Sequence, residues 1–457
     1  MLNTLNDVLN NVDNFIWGMP LIILILFTGI LLTVRLRGLQ IRHLGKALHY
    51  VFHNEDDGEG EVTSFGALCT ALSATIGTGN IVGCATAIVA GGPGALFWMW
   101  LAAFFGMATK YAEGMLAVKY RVIAEDGHTL GGPFYYIEKG MGKNFKWLAK
   151  LFCVFGTMVG LFGIGTFTQV NGITSAVNNF FDPSNVHTIS LFGMNYSISV
   201  VVAGIIVTIC AGLVIIGGIK RISKVSEVIV PFMAVTYIGV CLIIVFTHLP
   251  QVPAAFAEIV QSAFGLKAVA GGAIGAMTVA MQKGIARGIF SNEAGLGSAP
   301  IAAAAAKTKE PVRQGLVTMT GLAIVMTGAW DMGLEGVAVT TKAFALGLPF
   351  PAKASAFVLM MCLVFFAFTT ILGWDYYSER CLEYLSGGNM KHVKIYRWIY
   401  ILAVFIGPYM TVSAVWTIAD IFNGLMALPN MIALFALSGV VVKETKSFFE
   451  RHNNEKL

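Results

Sequence analysis

The chain has 457 residues, of which 56% are hydrophobic and 12% are charged, and its formal net charge is +5. Soluble domains carry about 25% charged residues, so this chain lacks the polar side chains that would cover a water-soluble globule of its size. No long basic tract accompanies the mild positive charge, which argues against a nucleic-acid-binding protein. The composition predicts a protein embedded in a lipid bilayer, where the 51 glycines suit closely packed helices.

The cysteines and the N-terminus add little to this assignment. The seven cysteines form no Cys-x-x-Cys pair and lie mostly in apolar runs, so they are interpreted as packing residues rather than metal ligands or a disulfide framework. The first apolar run, Trp17 to Val34, follows Asp7 and Asp13 rather than a positive region. It is interpreted as a spanning helix and not as a cleaved signal peptide.

Long apolar runs predict an all-α integral membrane protein. A helix needs about 20 mostly apolar residues to cross a bilayer, and runs of this kind predict about eleven spans. They lie at 17–36, 64–90, 94–118, 149–178, 197–218, 226–248, 267–304, 314–336, 354–379, 396–413 and 417–442. The segments 64–90 and 267–304 are unusually long, and glycine clusters interrupt both.

The positions of lysine and arginine predict the orientation, because cytoplasmic loops carry an excess of both. If the N-terminus is outside, the inner segments hold most of the 30 basic residues, from Arg35 in the first to Lys456 in the tail. The outer segments keep very few, and 179–197 has none. We therefore predict a multi-pass protein of the cell (plasma) membrane with its C-terminus in the cytoplasm.

The second predicted span contains Gly77 and Gly79, which flank Thr78 and precede Asn80. Glycine is a poor helix residue and tolerates unusual dihedral angles, so the helix can unwind there. Unwound backbone inside a membrane must line a cavity or be buried in protein. The alternative is a glycine face for close helix packing.

The seventh predicted span again has glycines in mid-run, at 270–277. If the N-terminal helix stands apart, the interrupted helices are the first and sixth of those that remain. This placement is expected of two inverted repeats of five helices with a binding site between them. The predicted parts are an extra helix and loop at 1–60, the repeats at 61–248 and 249–442, and a tail at 443–457.

Broken helices predict the chemistry of the site. Freed N–H groups at a half-helix N-terminus suit a carboxylate, and exposed carbonyls suit Na⁺. Carbonyls near Ala74 and Gly77, with the adjacent hydroxyls of Thr369 and Thr370, are the predicted Na⁺ ligands. The alternative for both threonines is a bond to their own helix. No carboxylate is expected at the bilayer midplane, which favours Na⁺ over H⁺.

The run GGPGALFWMWLAAFFG at 91–106 resembles the signature of the sodium:alanine symporters, also called alanine or glycine:cation symporters. TALSATIGTGNI at 70–81 and GIFSNEAGLGSAP at 288–300 are similar to the same family, and 131–137 is a weaker match. The resemblance implies a leucine-transporter-like fold with one extra N-terminal helix. It also implies import of alanine or glycine driven by co-transported Na⁺, with H⁺ coupling as the alternative.

The resemblance implies substrate contacts for particular residues, each of which also has a packing alternative. They are Thr78, Gly79 and Asn80; Phe167, Gln169 and Asn171; Gly275, Met277 and Gln282; and Trp374 as a wall that limits side-chain size. Helix positions four apart share a face and positions two apart do not, so Gln169 and Asn171 should face different atoms. The substrate carboxylate is expected on N–H groups of Thr78–Asn80. Its ammonium is expected on carbonyls of 270–277 and an amide of the fourth span.

Charged residues in or near spans are usually paired or functional. Lys110 and Glu113 are interpreted as a structural pair. Lys283 and Arg287 are predicted to face water or Glu293 as part of an inner gate. The segment 293–297 is either a gating turn or a helix end capped by glycine.

Other membrane functions lack their motifs. The sequence has neither a Walker-type glycine-rich loop nor a His-Glu-x-x-His pattern, so an ATP-driven pump and a metalloenzyme are both disfavoured. It also offers no charged ring or symmetric filter typical of a channel. A cation-coupled secondary transporter, which is not an enzyme, is the function that the sequence predicts.

Overall fold

The computed structural model describes residues 2–53, 58, 60–124, 127–191, 194–265, 272–313, 344, 348–410 and 412–452. Helices dominate this part of the chain. They are α1 Leu2–Ile16, α2 Met19–Arg35, α3 Leu39–Arg42, α4 Leu44–Phe52, α5 Ser64–Thr75, α6 Cys84–Gly91, α7 Gly94–Lys119, α8 Pro133–Tyr135, α9 Lys146–Phe162, α10 Phe167–Phe181, α11 Ile198–Ile215, α12 Gly218–Thr247, α13 Val252–Ala263, α14 Ala273–Asn292, α15 Ala299–Ala303, α16 Ala352–Leu385, α17 Met390–Ile406 and α18 Val412–Arg451.

Short elements complete the described fold. π-helical turns cover Gly79–Gly83 and Tyr136–Met141, and 3-10 turns cover Lys143–Phe145, Leu249–Gln251 and Gly407–Tyr409. Strands β1 Val122–Ile123 and β2 Thr129–Leu130 pair antiparallel, with Val122 opposite Leu130. Strands β3 Thr188–Leu191 and β4 Met194–Ser197 form a second antiparallel pair, with Thr188 opposite Ser197.

The helix lengths confirm an all-α membrane protein. Within the described residues, 6 helices are long and apolar enough to cross a membrane, or up to 7 if a bent pair counts as one span. Helix also occupies every other predicted span except 314–336, which lies outside the described residues. Some of these helices carry buried polar groups, such as Lys110 and Glu113 on α7, which lowers their hydropathy. The predicted number of eleven spans stays a prediction.

The first predicted break is confirmed. Helix α5 ends at Thr75, and its axis is bent by 53° from that of the helical segment Gly79–Gly91. Ile76, directly after α5, has non-helical dihedral angles of φ −91 and ψ 87. The backbone therefore unwinds at Ile76–Thr78, as the glycines predict.

The second predicted break is absent from residues 273–277. Residues 273–277, for which the sequence predicts an unwound backbone, belong to the continuous helix α14; positions 270 and 271 lie outside the described residues. The chain instead leaves the helix at Glu293 (φ 56), Gly295 (φ 93) and Gly297 (φ 79) before α15 begins. A single glycine costs a helix only about 1 kcal/mol, whereas a run of left-handed residues cannot continue one.

A further interruption divides the predicted fourth span. Helix α9 ends at Phe162 and α10 begins at Phe167, with Gly163 in a conformation, φ −118 and ψ −133, that is neither helical nor extended. The N–H groups of Gly163 and Gly165 both donate to the carbonyl of Val159, at 3.0 and 3.3 Å. This turn sets the direction in which Gln169 points.

Helix α16 lies at the centre of the described structure, where it packs against α5, α9, α10, α12 and α17. Glycines allow the closest approaches. A Cβ on Gly373 would lie 2.7 Å from the Cβ of Ala74 on α5, and a Cβ on Gly160 would overlap the Cβ of Ser378. Helix α16 therefore contacts the broken helix backbone to backbone.

Replacing Arg121 with alanine should lower the melting temperature of the detergent-solubilised protein. The guanidinium donates to the buried carbonyls of Ala304 (3.2 Å), Ala306 (2.7 Å) and Thr308 (2.8 Å), which follow α15. Losing hydrogen bonds to a charged group should cost about 1.5–3 kcal/mol. The control Arg451→Ala breaks only an exposed ion pair with Glu310, worth at most about 1 kcal/mol. Equal melting temperatures for the two variants would contradict this role of Arg121.

Candidate functional site

The α5–α6 break presents backbone N–H groups to amide oxygens. The N–H of Thr78 donates to Oε1 of Gln169 at 3.0 Å, and the N–H of Gly77 donates to Oδ1 of Asn80 at 3.0 Å. Nε2 of Gln169 donates to the carbonyl of Ile164 at 2.9 Å, which fixes the orientation of the amide. The break therefore carries directed donors of the kind that bind a carboxylate.

Gly77 and Gly79 allow other helices to reach this backbone. A Cβ on Gly77 would lie 2.5 Å from Oγ1 of Thr370, and a Cβ on Gly79 would lie 2.7 Å from Cδ1 of Phe290. Nδ2 of Asn80 donates to the carbonyl of Ser291 at 3.3 Å. The break thus meets α16 on one side and the end of α14 on another.

Thr370 lies among carbonyl oxygens at the end of α5. Its buried hydroxyl is 3.0 Å from the carbonyl oxygen of Ser73 and 3.3 Å from that of Ile76. It also lies 3.0 Å from the carbonyl of Phe366 on its own helix. A hydroxyl has one hydrogen and cannot donate to three acceptors at full strength. Several oxygen atoms therefore lie close together with few hydrogens between them, an arrangement that suits a small hard cation.

Thr369 does not join this group. Its hydroxyl bonds to the carbonyls of Phe365 and Phe366 and lies 3.6 Å from Sδ of Met233 on α12. Adjacent helical residues point about 100° apart, so only one hydroxyl of the pair can face α5. The carbonyls beside Thr370 also differ from the predicted Na⁺ ligands near Ala74 and Gly77. The carbonyls near the Thr370 hydroxyl belong to Ser73 and Ile76. The carbonyl of Gly77 instead accepts from the N–H of Asn80.

Phe167 and Asn171 share a face of α10 that is distinct from that of Gln169. Nδ2 of Asn171 donates to the carbonyl of Met410 at 3.2 Å. Phe167 packs with Ala403 and Val415. Both side chains therefore face α17 and the start of α18, whereas Gln169 faces the break, as their spacing predicts.

Trp374 is buried on α16, and Glu293 holds its ring. Nε1 of Trp374 donates to Oε1 of Glu293 at 2.8 Å. The other carboxylate oxygen of Glu293 accepts from Thr75 at 3.1 Å and from Ser298 at 2.9 Å. One buried carboxylate thus links the end of α5, the second break and the predicted pocket wall.

Glu113 on α7 secures the second break. Its Oε1 accepts from the N–H groups of Gly295 (3.1 Å) and Gly297 (3.2 Å) and from Nδ2 of Asn430 (2.7 Å). Lys110 is also buried, but Oε2 of Glu113 has no hydrogen-bond partner among the described residues. The predicted direct pair of Lys110 with Glu113 is therefore not formed, and Glu113 instead belongs to a buried network with Asn430 and the second break. Within it, segment 293–297 is a glycine-containing helix end.

Arg287 forms a second charged cluster. It pairs with Asp420 on α18 at 2.8 Å, and its guanidinium lies 5.7 Å from the ring centre of Phe290 and 5.5 Å from that of Trp416. Because Arg287 is bound to Asp420, it does not turn to Glu293, which is one of the two environments, water or Glu293, that the sequence predicts for it. This cluster packs against Phe290, the same ring that a side chain at Gly79 would meet.

The structure does not bring Gly275, Met277 and Gln282 to this group of residues. Helix α14 meets the break through Phe290 and Ser291, and Gln282 lies about 13 Å earlier along the axis at 1.5 Å per residue. Gly275 is exposed, and a Cβ added there would have nothing within 4 Å. These predictions depended on a break at 270–277, and α14 is continuous over 273–277.

Several residues at the site carry no signal in the sequence. Trp416 lies in an apolar run without a telling spacing. Ser73 and Ile76 lie in the motif at 70–81, and Phe290 and Ser291 in that at 288–300, but the resemblance assigns a role to none of them. Within 288–300, only the segment 293–297 is interpreted, as a gating turn or a helix end capped by glycine. Its density of polar residues beside glycines is the one signal that could locate the second break.

Gly79→Ala should destabilise the protein, whereas the matched variant Gly83→Ala in the same π-helical turn should not. A Cβ at position 79 would press on Phe290 at 2.7 Å, while position 83 has nothing within 4 Å. Overpacking a buried contact costs about 1–3 kcal/mol. Thermal unfolding in detergent, followed by tryptophan fluorescence, measures both. Equal shifts would show that Gly79 is not required by this contact.

Comparison with known proteins identifies the family of this chain. The model of the sodium:alanine symporter family matches residues 2–457. A transporter of Haemophilus influenzae is 53% identical, covering 98% of this chain and 97% of that protein. A sodium/alanine symporter of Methanococcus maripaludis is 45% identical, covering 98% of each chain. A probable sodium/glutamine symporter of Bacillus subtilis is 37% identical, covering 98% of this chain and 91% of that protein. The chain therefore belongs to the sodium:alanine symporter family, whose members are transporters and not enzymes.

Proposed function

We propose that this protein is a secondary active symporter that imports alanine or glycine together with Na⁺ by alternating access. The observation that carries the proposal is the position of the Thr370 hydroxyl among the carbonyls of Ser73 and Ile76, beside the N–H groups of Gly77 and Thr78. A site for a hard cation and a site for a carboxylate thus lie on one broken helix. Membership of the sodium:alanine symporter family also supports amino-acid symport.

The proposed Na⁺ ligands are oxygens that carry no formal charge. They are the Thr370 hydroxyl and the Ser73 and Ile76 carbonyls, joined by backbone near Ala74 and Gly77 when Na⁺ is bound. Carbonyls at the end of a discontinuous helix are typical of Na⁺ sites in secondary transporters. Na⁺ is a transported substrate here, so a site without its own buried anion can release it more readily.

The proposed amino-acid site uses the other end of the break. The substrate carboxylate would replace Gln169 and Asn80 as acceptor for the N–H groups of Thr78 and Gly77. The ammonium would meet carbonyls at the end of α14, where Ser291 already accepts from Asn80, and the freed amide oxygen of Gln169. Both charges of the zwitterion are then met without a buried ionised side chain.

We also propose the wider architecture. The segments 61–248 and 249–442 form two inverted repeats of five helices, with 1–60 as an additional helix and loop and 443–457 as a cytoplasmic tail. The N-terminus is outside and the protein lies in the cell membrane. The distribution of lysine and arginine supports this orientation, and the broken helix in each half supports the repeats.

Uptake of radiolabelled alanine into proteoliposomes tests the proposed function. An inward Na⁺ gradient should drive accumulation of alanine and glycine above equilibrium, and replacing Na⁺ with K⁺ at equal ionic strength should abolish it. Collapse of the gradient by a Na⁺ ionophore is the second control. Equilibration without accumulation would contradict symport, and preferential uptake of glutamine would contradict the proposed substrate class.

Thr370→Val should raise the Na⁺ concentration for half-maximal uptake, whereas Thr369→Val should not. Valine keeps the shape of threonine, so the pair differs only in which hydroxyl is lost. Removing one oxygen ligand from the bound Na⁺ should cost about 1.5–3 kcal/mol, which is about one to two decades in Na⁺ affinity. Na⁺ titration of alanine uptake gives both values. Equal shifts in the two variants, or none in Thr370→Val, would place the cation elsewhere.

Trp374→Ala should admit larger amino acids, because the side chain is the proposed pocket wall. Each methylene that becomes accommodated gains at most about 0.8 kcal/mol, or about fourfold in affinity. Trp374→Phe is the matched control: it keeps most of the bulk and loses only the bond to Glu293. Competition of alanine uptake by valine, leucine and glutamine measures the ranking. If Trp374→Ala kept the parent ranking, Trp374 would not limit side-chain size.

A further inference from the structure

Helices α11 and α17 pack side by side, and glycines mark where they meet. A Cβ on Gly212 would lie 3.6 Å from Cδ1 of Ile401. At the turn into α12, a Cβ on Gly218 would lie 3.6 Å from Nη2 of Arg397. Because the later residue of one helix meets the earlier residue of the other, the two helices run antiparallel. The end of α11 therefore lies beside the start of α17.

Both helices leave an apolar stripe uncovered by the described residues. On α11, Leu213 is 63% exposed and Ile216 is 52% exposed; on α17, Trp398 is 65% exposed and Leu402 is 55% exposed. Each residue of an α-helix turns by about 100°, so the two stripes lie about 70° and about 80° round from the residue that contacts the other helix, in the same rotational sense. For antiparallel helices, equal rotations lead to the same side of the pair. The two stripes therefore border one groove.

Basic side chains surround the end of this groove where α11 ends and α17 begins. Lys394 and Lys391 stand on α17 one turn and two turns before Trp398, and both are exposed. Arg221, on the first turn of α12, is also exposed and folds back, so that its Nη1 donates to the carbonyl of Leu213 at 2.7 Å. The part of the chain that the structure describes gives neither lysine a carboxylate partner.

The groove thus follows the order of the parts of a phospholipid. Positive charges come first, an exposed tryptophan follows, and apolar side chains continue from there. Tryptophan is enriched at the interface between bilayer and water, and basic pockets between spanning helices bind the headgroups of anionic lipids. Glu379 does not cancel the exposed charge, because it is already bound by Arg397 through two hydrogen bonds.

We propose that the groove between α11 and α17 binds an anionic phospholipid of the inner leaflet. The phosphate lies among Arg221, Lys391 and Lys394, and one acyl chain lies along the two apolar stripes. A zwitterionic headgroup carries no net charge and is bound less strongly. The inner leaflet follows from the proposed orientation, in which this end of both helices is cytoplasmic.

The bound lipid would support the first break from outside the bundle. The hydroxyl of Tyr400 on α17 lies 2.9 Å from the carbonyl oxygen of Gly165 and 2.8 Å from that of Ile371. Gly165 belongs to the turn that sets the direction of Gln169. A lipid that holds α17 against α11 therefore stabilises a helix on which the position of this turn depends, without contacting substrate or cation.

Native mass spectrometry of the full chain in detergent tests the proposal. Given equal amounts of phosphatidylglycerol and phosphatidylcholine with the same acyl chains, the parent should retain phosphatidylglycerol. Each basic residue near a membrane surface contributes about fivefold to the affinity for an anionic lipid. The variant that combines Arg221→Gln, Lys391→Gln and Lys394→Gln should therefore bind phosphatidylglycerol about a hundredfold more weakly, with its binding of phosphatidylcholine unchanged.

A matched control removes the same charge from other exposed positions that are predicted to be cytoplasmic. It combines Lys143→Gln, Lys150→Gln and Lys443→Gln, and it should retain phosphatidylglycerol as the parent does. Fluorescence gives a second measurement: phosphatidylglycerol with brominated acyl chains should quench Trp398, so the quenched fraction should be smaller in Trp398→Phe.

Four results would overturn the lipid site. They are equal retention of both lipids by the parent, an unchanged affinity in the groove variant, an equal loss in the control variant, and the same quenched fraction in Trp398→Phe. A lipid-free dimer that the groove variant dissociates would assign the groove to a second copy of the chain instead. Lipid binding is measured without transport, so each of these results leaves the proposed symport function to its own test.

Discussion

Inside a bilayer, each backbone N–H and C=O that leaves a helix must find a partner within the protein, and this requirement governs the arrangement around residues 76–80. The amide of Gln169 takes the N–H of Thr78, Asn80 takes that of Gly77, and the hydroxyl of Thr370 faces the carbonyls of Ser73 and Ile76. These partners are uncharged and removable. In the proposed transport cycle, the substrate carboxylate replaces Gln169 and Asn80 on the N–H groups, and Na⁺ joins the Thr370 hydroxyl beside the carbonyls, so that no backbone group is left unpaired.

The second break meets the same requirement with charged partners. Glu113 accepts from the N–H groups of Gly295 and Gly297, and Glu293 accepts from Thr75, Ser298 and Trp374. Hydrogen bonds to a charged group are roughly twice as strong as neutral ones. The second break is thus held more firmly than the first. It therefore suits a fixed element that positions Trp374, whereas the first break suits the binding of a substrate that replaces its partners.

The first break and most of its neighbours can be located from the sequence because two glycines flank a polar residue in an apolar run, a combination that weakens a helix at one point. The second break is identified only in part: the glycines at 295 and 297 predict a helix end in 293–297, but the sequence assigns the break to 270–277, and Gly275 in that run is compatible with a helix. The choice between Thr369 and Thr370 depends on the rotation of α16 about its axis, which tertiary packing sets.

Two clusters of buried charged residues hold particular helices together. Arg287 and Asp420 join α14 to α18 beside Phe290, and the Glu113 and Glu293 network joins the end of α14 to α7 and α5. Removing one partner of a buried ion pair costs about 3–5 kcal/mol, so Arg287 and Asp420 stay paired unless water reaches them. The Glu113 and Glu293 network is held by several hydrogen bonds to carboxylate oxygens, which water would have to replace together. Alternating access needs water to reach one side at a time. Both clusters involve α14 but join it to different helices, so water can reach one cluster while the other stays intact. In the proposed transport cycle, α14 is therefore the element about which the two sides would open in turn.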